Sequence, residues 1–199
     1  MKYITALFCL IFTTTSHSSN KLSDISVKSA VTFNTLCAKC HEGQCSGRLT
    51  FDTGSGTASN HIKRYSDDVN ISNIEIQEYF TLLNYMKKEC LLFMPNSKKW
   101  RVDELLNFAL PSRKTYFIPL GILKSGEYKL LIKTKKEIRY RVEVISNDFD
   151  TFLDSSVYSN TQEKLFNFRL DKSTNYFLRI KSKESVIITN LEIKIISPL

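Results

Sequence analysis

Ile138-Arg139-Tyr140-Arg141-Val142-Glu143-Val144 changes from apolar to charged and back at every step. Successive side chains of a strand point to opposite faces, so this stretch predicts a strand with one face buried and one solvated. Leu191-Glu192-Ile193-Lys194-Ile195 repeats the pattern. Around these two lie further short runs rich in Ile, Val, Tyr and Phe: Tyr116–Leu120, Tyr128–Lys133, Leu165–Leu170, Tyr176–Lys181 and Val186–Ile196. Turn-forming residues separate them, as in Lys124-Ser125-Gly126-Glu127. Six or seven such strands within about 90 residues predict an antiparallel β-sandwich, jelly-roll-like or immunoglobulin-like, over residues 97–199. From residue 97 on there is neither His nor Cys, so neither metal nor thiol chemistry is implied there.

Upstream the pattern changes. Asp24 to Leu36 reads as a helix, and Ile74 to Cys90 has helical periodicity, with Ile76, Phe80, Leu83 and Met86 recurring about once per turn. Asn70-Ile71-Ser72 matches a glycosylation acceptor but reads better as a helix start, with Ser72 or Asn73 as the cap. Pro95-Asn96-Ser97-Lys98-Lys99 reads as a junction, and Arg101 to Leu110 as a linking helix or strand. The expected organisation is an all-α unit over residues 19–96 followed by the all-β sandwich over residues 97–199.

Residues 1–18 have the form of an export signal. Met1-Lys2 is a short positive start, Tyr3 to Phe12 is apolar, and Ser16-His17-Ser18 offers small residues for cleavage. The apolar run is too short to span a bilayer, and no later stretch is long and apolar enough. A periplasmic or secreted location is expected, in a Gram-negative bacterium. The formal charge of the chain is +8. Residues 100–199 carry +5 of it and residues 19–99 only +2, and the Lys and Arg residues are dispersed rather than gathered in a stripe. That dispersion argues against a nucleic-acid partner. It leaves a basic sandwich suited to docking an acidic redox protein or a polysaccharide, or simply one whose outer face is kept soluble.

Cleavage after Ser18 removes Cys9 and His17 and leaves four cysteines and two histidines. Cys37-Ala38-Lys39-Cys40-His41 is C-x-x-C-H, the pattern of covalent c-type haem attachment. Two thiols about a helical turn apart can each add to a porphyrin vinyl group, and the adjoining imidazole reaches the iron. A redox C-x-x-C would sit between a strand and a helix, and a zinc site would need a second ligand pair. Neither context is present.

Ser29 and Phe33 precede Cys37 by eight and four residues, and Leu82-Leu83-Asn84-Tyr85-Met86-Lys87-Lys88 stands in the later helix. In these features residues 22–96 resemble the class I cytochrome c family, with its small residue and aromatic before C-x-x-C-H and its Leu-x-x-Tyr-Leu-Lys-Lys-like late helix. The resemblance implies one covalent haem c held by Cys37 and Cys40, His41 as proximal iron ligand, a late helix crossing the first, and one-electron transfer to a redox protein partner rather than enzymatic turnover. It departs from the family at the sixth ligand, because no methionine lies between His41 and Ile74. His61 stands where the family delivers its ligand, and a bis-histidine iron suits electron transfer. Met94 is the alternative, and an open or water-bound iron is a third. An open iron would make the protein a haem-based sensor or gas binder. The sandwich resembles carbohydrate-binding modules in pattern only, which opens a further alternative: a polysaccharide binder supplied with electrons by the haem.

Cys45 and Cys90 remain. In an oxidising compartment an even remainder reads as a disulfide, which would close a loop of about 45 residues and contribute roughly 3–4 kcal/mol. Free thiols or a cysteine iron ligand are the alternatives. Leu49-Thr50-Phe51-Asp52-Thr53-Gly54-Ser55 looks like an aspartic-protease turn, but that chemistry needs a second carboxylate sharing the proton, and there is one such turn.

Overall fold

The structure is a computed structural model, and it describes residues 22–38, 59–60, 62, 71–95, 101–159 and 163–198. Seven strands form the larger part: β1 (Thr115–Leu123), β2 (Gly126–Thr134), β3 (Ile138–Ser146), β4 (Thr151–Ser159), β5 (Lys164–Leu170), β6 (Thr174–Ser182) and β7 (Ile188–Pro198). They make two antiparallel sheets, β1-β6-β3-β4 and β5-β2-β7. Apart from the β3–β4 hairpin, each strand lies in the opposite sheet from the one before it. That alternation is jelly-roll connectivity, with seven strands where the full form has eight. The immunoglobulin order is excluded, because there the first two strands are sheet neighbours.

Alternation explains the interior. Tyr128, Leu130 and Ile132 of β2, Tyr140, Val142 and Val144 of β3, and Phe166, Phe168 and Leu170 of β5 are buried. Lys129, Lys133, Arg139 and Arg141 between them are exposed. Register puts Tyr128 beside Phe168, and their rings stack with centroids 5.8 Å apart. Strand β4 escaped the sequence reading for a physical reason. It pairs with β3 alone, at the sheet edge, and with its Thr, Asp and Ser residues it is exposed or half-buried at every position but Ser159.

Over part of the four-stranded sheet both faces are buried. Phe117, Ile145 and Phe177 lie on the face opposite Tyr116, Val144 and Tyr176, yet all six are buried. Phe117 stacks on Phe177 at 5.0 Å. Beside them Arg179 Nε donates to Glu143 Oε2 at 2.6 Å, with both residues buried. Arg141 extends the row to Asp154. A buried pair of this kind is costly to desolvate, and that cost is offset only while the charges stay paired.

Helix α1 (Val27–Thr32) is capped by Ser26, whose Oγ accepts from Ser29 N at 3.1 Å. This cap sets the start three residues later than the sequence suggested. The helix continues as a π-helical turn, Phe33–Cys37. Helix α2 (Asn73–Glu89) follows a capping box between Ser72 and Glu75 and ends at Cys90, which takes a left-handed φ of 54°. The linking segment is a 3₁₀ helix, Val102–Phe108, which buries Leu105 and Phe108. The all-α unit expected over residues 19–96 is represented among the described residues by these helical segments, and the described fold is predominantly antiparallel β. The expected boundary at residues 96 and 97, and the signal expected over residues 1–18, lie outside the described residues.

One cluster of buried hydrophobics runs from Ile25 of the first segment through both helices into both sheets. Leu92 N also donates to Asn147 O at the β3–β4 turn, at 2.6 Å. No described helix is long and apolar enough to cross a membrane.

Candidate haem-attachment site and sandwich face

The first candidate site begins where α1 ends. Glu78 of α2 accepts from Ser26 N (2.8 Å), Ser26 Oγ (2.9 Å) and Ser29 Oγ (2.5 Å), and Lys28 pairs with Glu75 at 2.7 Å. The small residue at position 29 is thus fully buried and serves as the hydroxyl through which α2 locks onto α1. Glu75 is held below the usual carboxylate range, first by the hydrogen bond from Lys28 and then by that from Ser72 N. Burial pushes the Tyr79 phenol up, its hydrogen bond with Thr32 opposes this, and the charges of Glu75 and Cys37 add to the rise.

Cys37 is the last residue of the π-helical turn, half-buried and packed on the core. Ala38 N closes the turn onto Phe33 O, and such turns recur at functional sites because the extra residue re-aims the side chains that follow. One turn earlier, buried Asn34 donates from Nδ2 to Phe93 O at 2.8 Å, while its Oδ1 has no hydrogen-bond partner among the described residues. Sequence reading missed Asn34. The available signal was an amide between Phe33 and Thr35 on a helix whose neighbours are all buried. The Cys37 thiol and this orphaned oxygen, about one turn apart at the end of the helix, are compatible with a bound group there.

Cys40, His41, Cys45 and His61 lie outside the described residues, so the structure places Cys37, Cys90 and Met94 of the expected set. Cys90 is half-buried at the left-handed end of α2. Met94 is 8% exposed and belongs to the shared core beside Leu92. Phe93 between them meets Tyr85 edge-to-face at 5.6 Å. Met86 is buried in the core, the packing role that the sequence pattern implied.

The second candidate is the outward face of β5-β2-β7. Register aligns Arg169 with Glu127, Asn167 with Lys129 and Lys194, and Leu165 with Leu131 and Glu192. The face is open and mixes basic and apolar side chains with the acidic Glu127 and Glu192; Leu165 is half exposed. At its end a cleft of about 670 Å³ is lined by Lys133, Thr134, Lys135, Glu163, Thr189 and Asn190. Nearly every ring of the sandwich strands is buried or half-buried. Tyr158 is the large exposed aromatic among the described residues, and its hydroxyl donates to Glu137 at 2.8 Å.

No family model and no curated protein matches this chain. Among solved structures it is similar to a family GH115 4-O-methyl-α-glucuronidase with specificity for decorated arabinogalactans, at 12% identity and a TM-score of 0.33, over 41% of this chain and 13% of that one. It is also similar to a CBM4 domain, at 11% identity and a TM-score of 0.31, over 41% of this chain and 60% of that one. A third likeness is to the C-terminal domain of EclA, a sugar-binding protein, at 16% identity and a TM-score of 0.28, over 44% of this chain and 73% of that one. The chain spans less than two thirds of the length of the first two.

Proposed function

We propose that the protein is an exported monohaem c-type cytochrome that passes single electrons to a redox protein, with the β-sandwich as its docking or targeting module. The observation that carries this reading is the run Cys37-Ala38-Lys39-Cys40-His41, whose first residue ends a helix onto which a second helix is locked. Cys37 and Cys40 would hold haem c as thioethers, each thiol adding across a vinyl group with its proton passing to the other vinyl carbon. His41 would be the proximal ligand and His61 the distal one. The burial of Met94 in the shared core supports His61 over Met94. Haem iron cycling between Fe(III) and Fe(II) supplies the redox chemistry when bound, and this chain's part is to fix the group covalently and keep its edge at a constant distance from a partner. Cys45 and Cys90 would form the bridge that ties the loop after His41 to the end of α2. The location would be periplasmic or secreted, and the protein would not be an enzyme.

Absorption and EPR spectra of the oxidised protein beside a His61→Ala variant test the ligand assignment. A low-spin spectrum that becomes high-spin in the variant is expected, and an unchanged spectrum removes His61. Carbon monoxide binding to the reduced protein tests the sensor alternative, because rapid and complete binding contradicts a closed bis-histidine iron.

The open face of β5-β2-β7 favours a second reading, polysaccharide binding by the sandwich. Lys129, Lys133, Arg169 and Lys194 outnumber Glu127 and Glu192 on that face, which suits an acidic chain more than a neutral one. Retention of the full chain on insoluble acidic glycans, with less on neutral ones, is the expected result, and absence of retention on either removes this reading.

A further inference from the structure

Strand β7 lies at the edge of its sheet, with β2 as its single neighbour. It is the longest strand of the fold at eleven residues, and Lys194 to Pro198 are all exposed. Ile195 and Ile196 are 48% and 53% exposed. The 3₁₀ helix comes near this strand, but no described residue makes a backbone hydrogen bond to its outer side. A long open edge with apolar side chains is a template for another strand.

The sequence of this edge is complementary to itself. Two copies of Leu191-Glu192-Ile193-Lys194-Ile195, laid antiparallel and centred on Ile193, set Glu192 opposite Lys194 twice, Leu191 opposite Ile195 twice, and Ile193 opposite Ile193. Moving the centre to Glu192 or to Lys194 sets like charge against like. Within one chain the Lys194 ammonium already lies 2.6 Å from the Glu192 carboxylate on the outward face, so both heads stand on the side where the cross-strand pairs would form.

We propose that β7 is a dimerisation edge whose occupant is β7 of a second copy of this chain, paired antiparallel about Ile193. The pairing would be isologous, each residue's partner being set by one two-fold axis. It would join the two three-stranded sheets into one of six strands, satisfy the open backbone groups and cover Ile195 with Leu191 of the second copy. It rests on the strand alone and is independent of what the first site binds.

Sedimentation equilibrium of the mature full chain at low salt tests this. The wild type is expected to dimerise. Glu192→Lys and Lys194→Glu, both on the outward face, should each weaken the dimer about tenfold or more, because each sets like charges opposite one another twice. An equimolar mixture of the two variants should recover the dimer, since the two lysines of the first variant's strand then face the two glutamates of the second's. Repair of the intrachain pair cannot produce that recovery. A monomeric wild type, variants that dimerise as well as wild type, or a mixture that stays monomeric would each overturn the proposal.

Discussion

At the scale of single residues, a buried phenol and a half-buried carboxylate make opposite forecasts. Tyr140 is 1% exposed and its hydroxyl has no hydrogen-bond partner. Burial pushes its phenol up to about 12. Tyr140→Phe removes a desolvated hydroxyl while keeping the ring, so the variant should be as stable as wild type or more stable by about 1–2 kcal/mol in urea unfolding. The folded value lies above the unfolded one, so the difference should widen above pH ~10, where the unfolded tyrosine ionises and the wild type loses stability. Glu78 is the reverse case. Its carboxylate accepts three hydrogen bonds from Ser26 and Ser29, and Glu78→Ala should cost about 2–3 kcal/mol by the same measurement. The sequence pattern singled out Ser29 as small. It could not show that its hydroxyl binds Glu78, because the two are 49 residues apart and only the crossing of α1 and α2 brings them together.

At the scale of elements, strand alternation made most of the sandwich legible. β2, β5 and the first half of β3 each bury one face against the opposite sheet, so period-two hydrophobicity marks them. β4 was not legible because an edge strand with polar residues on both faces has no such period. β1 and β6 are buried on both faces in part, and they read as apolar runs rather than alternations. Gly126 opens β2 with φ of +154°, and a Cβ there would come within 2.7 Å of Ser197 O and 3.2 Å of Ile195 Cδ1. Gly126→Ala should therefore cost about 1–3 kcal/mol and loosen the end of β7, detectable as faster amide exchange there. The β3–β4 turn carries an acid-sensitive tie. Burial pushes the Asp148 carboxyl up, but hydrogen bonds from Lys172 and Ser146 together outweigh it and hold it below its usual range. The stability this contributes is present above the ordinary carboxylate range and is lost as pH falls below about 4. Lys172→Met should flatten that acid limb. The effect should be small, because Asp148 and Lys172 are both partly exposed.

At the scale of the whole molecule, helices and sandwich are bound by one buried cluster, and Phe117 and Phe177 are buried on the outward face of their sheet. The full chain should therefore unfold in one transition, and residues 101–199 alone should lose solubility by uncovering apolar surface. Periodicity cannot foretell such sharing, because it reports which face of an element is apolar and not what covers it. The C-x-x-C-H spacing, in contrast, is a pattern of five consecutive positions and needs no periodicity to be noticed; beyond Ala38 it lies outside the described residues. The central claim is that Cys37 and Cys40 carry a covalent haem. Intact-mass measurement of the mature protein, produced in a host with haem-attachment machinery and unfolded before analysis, tests it most directly. The expected result is a mass one haem above the polypeptide, lost when Cys37 and Cys40 are both replaced by serine; a wild-type mass equal to that of the bare polypeptide would contradict it.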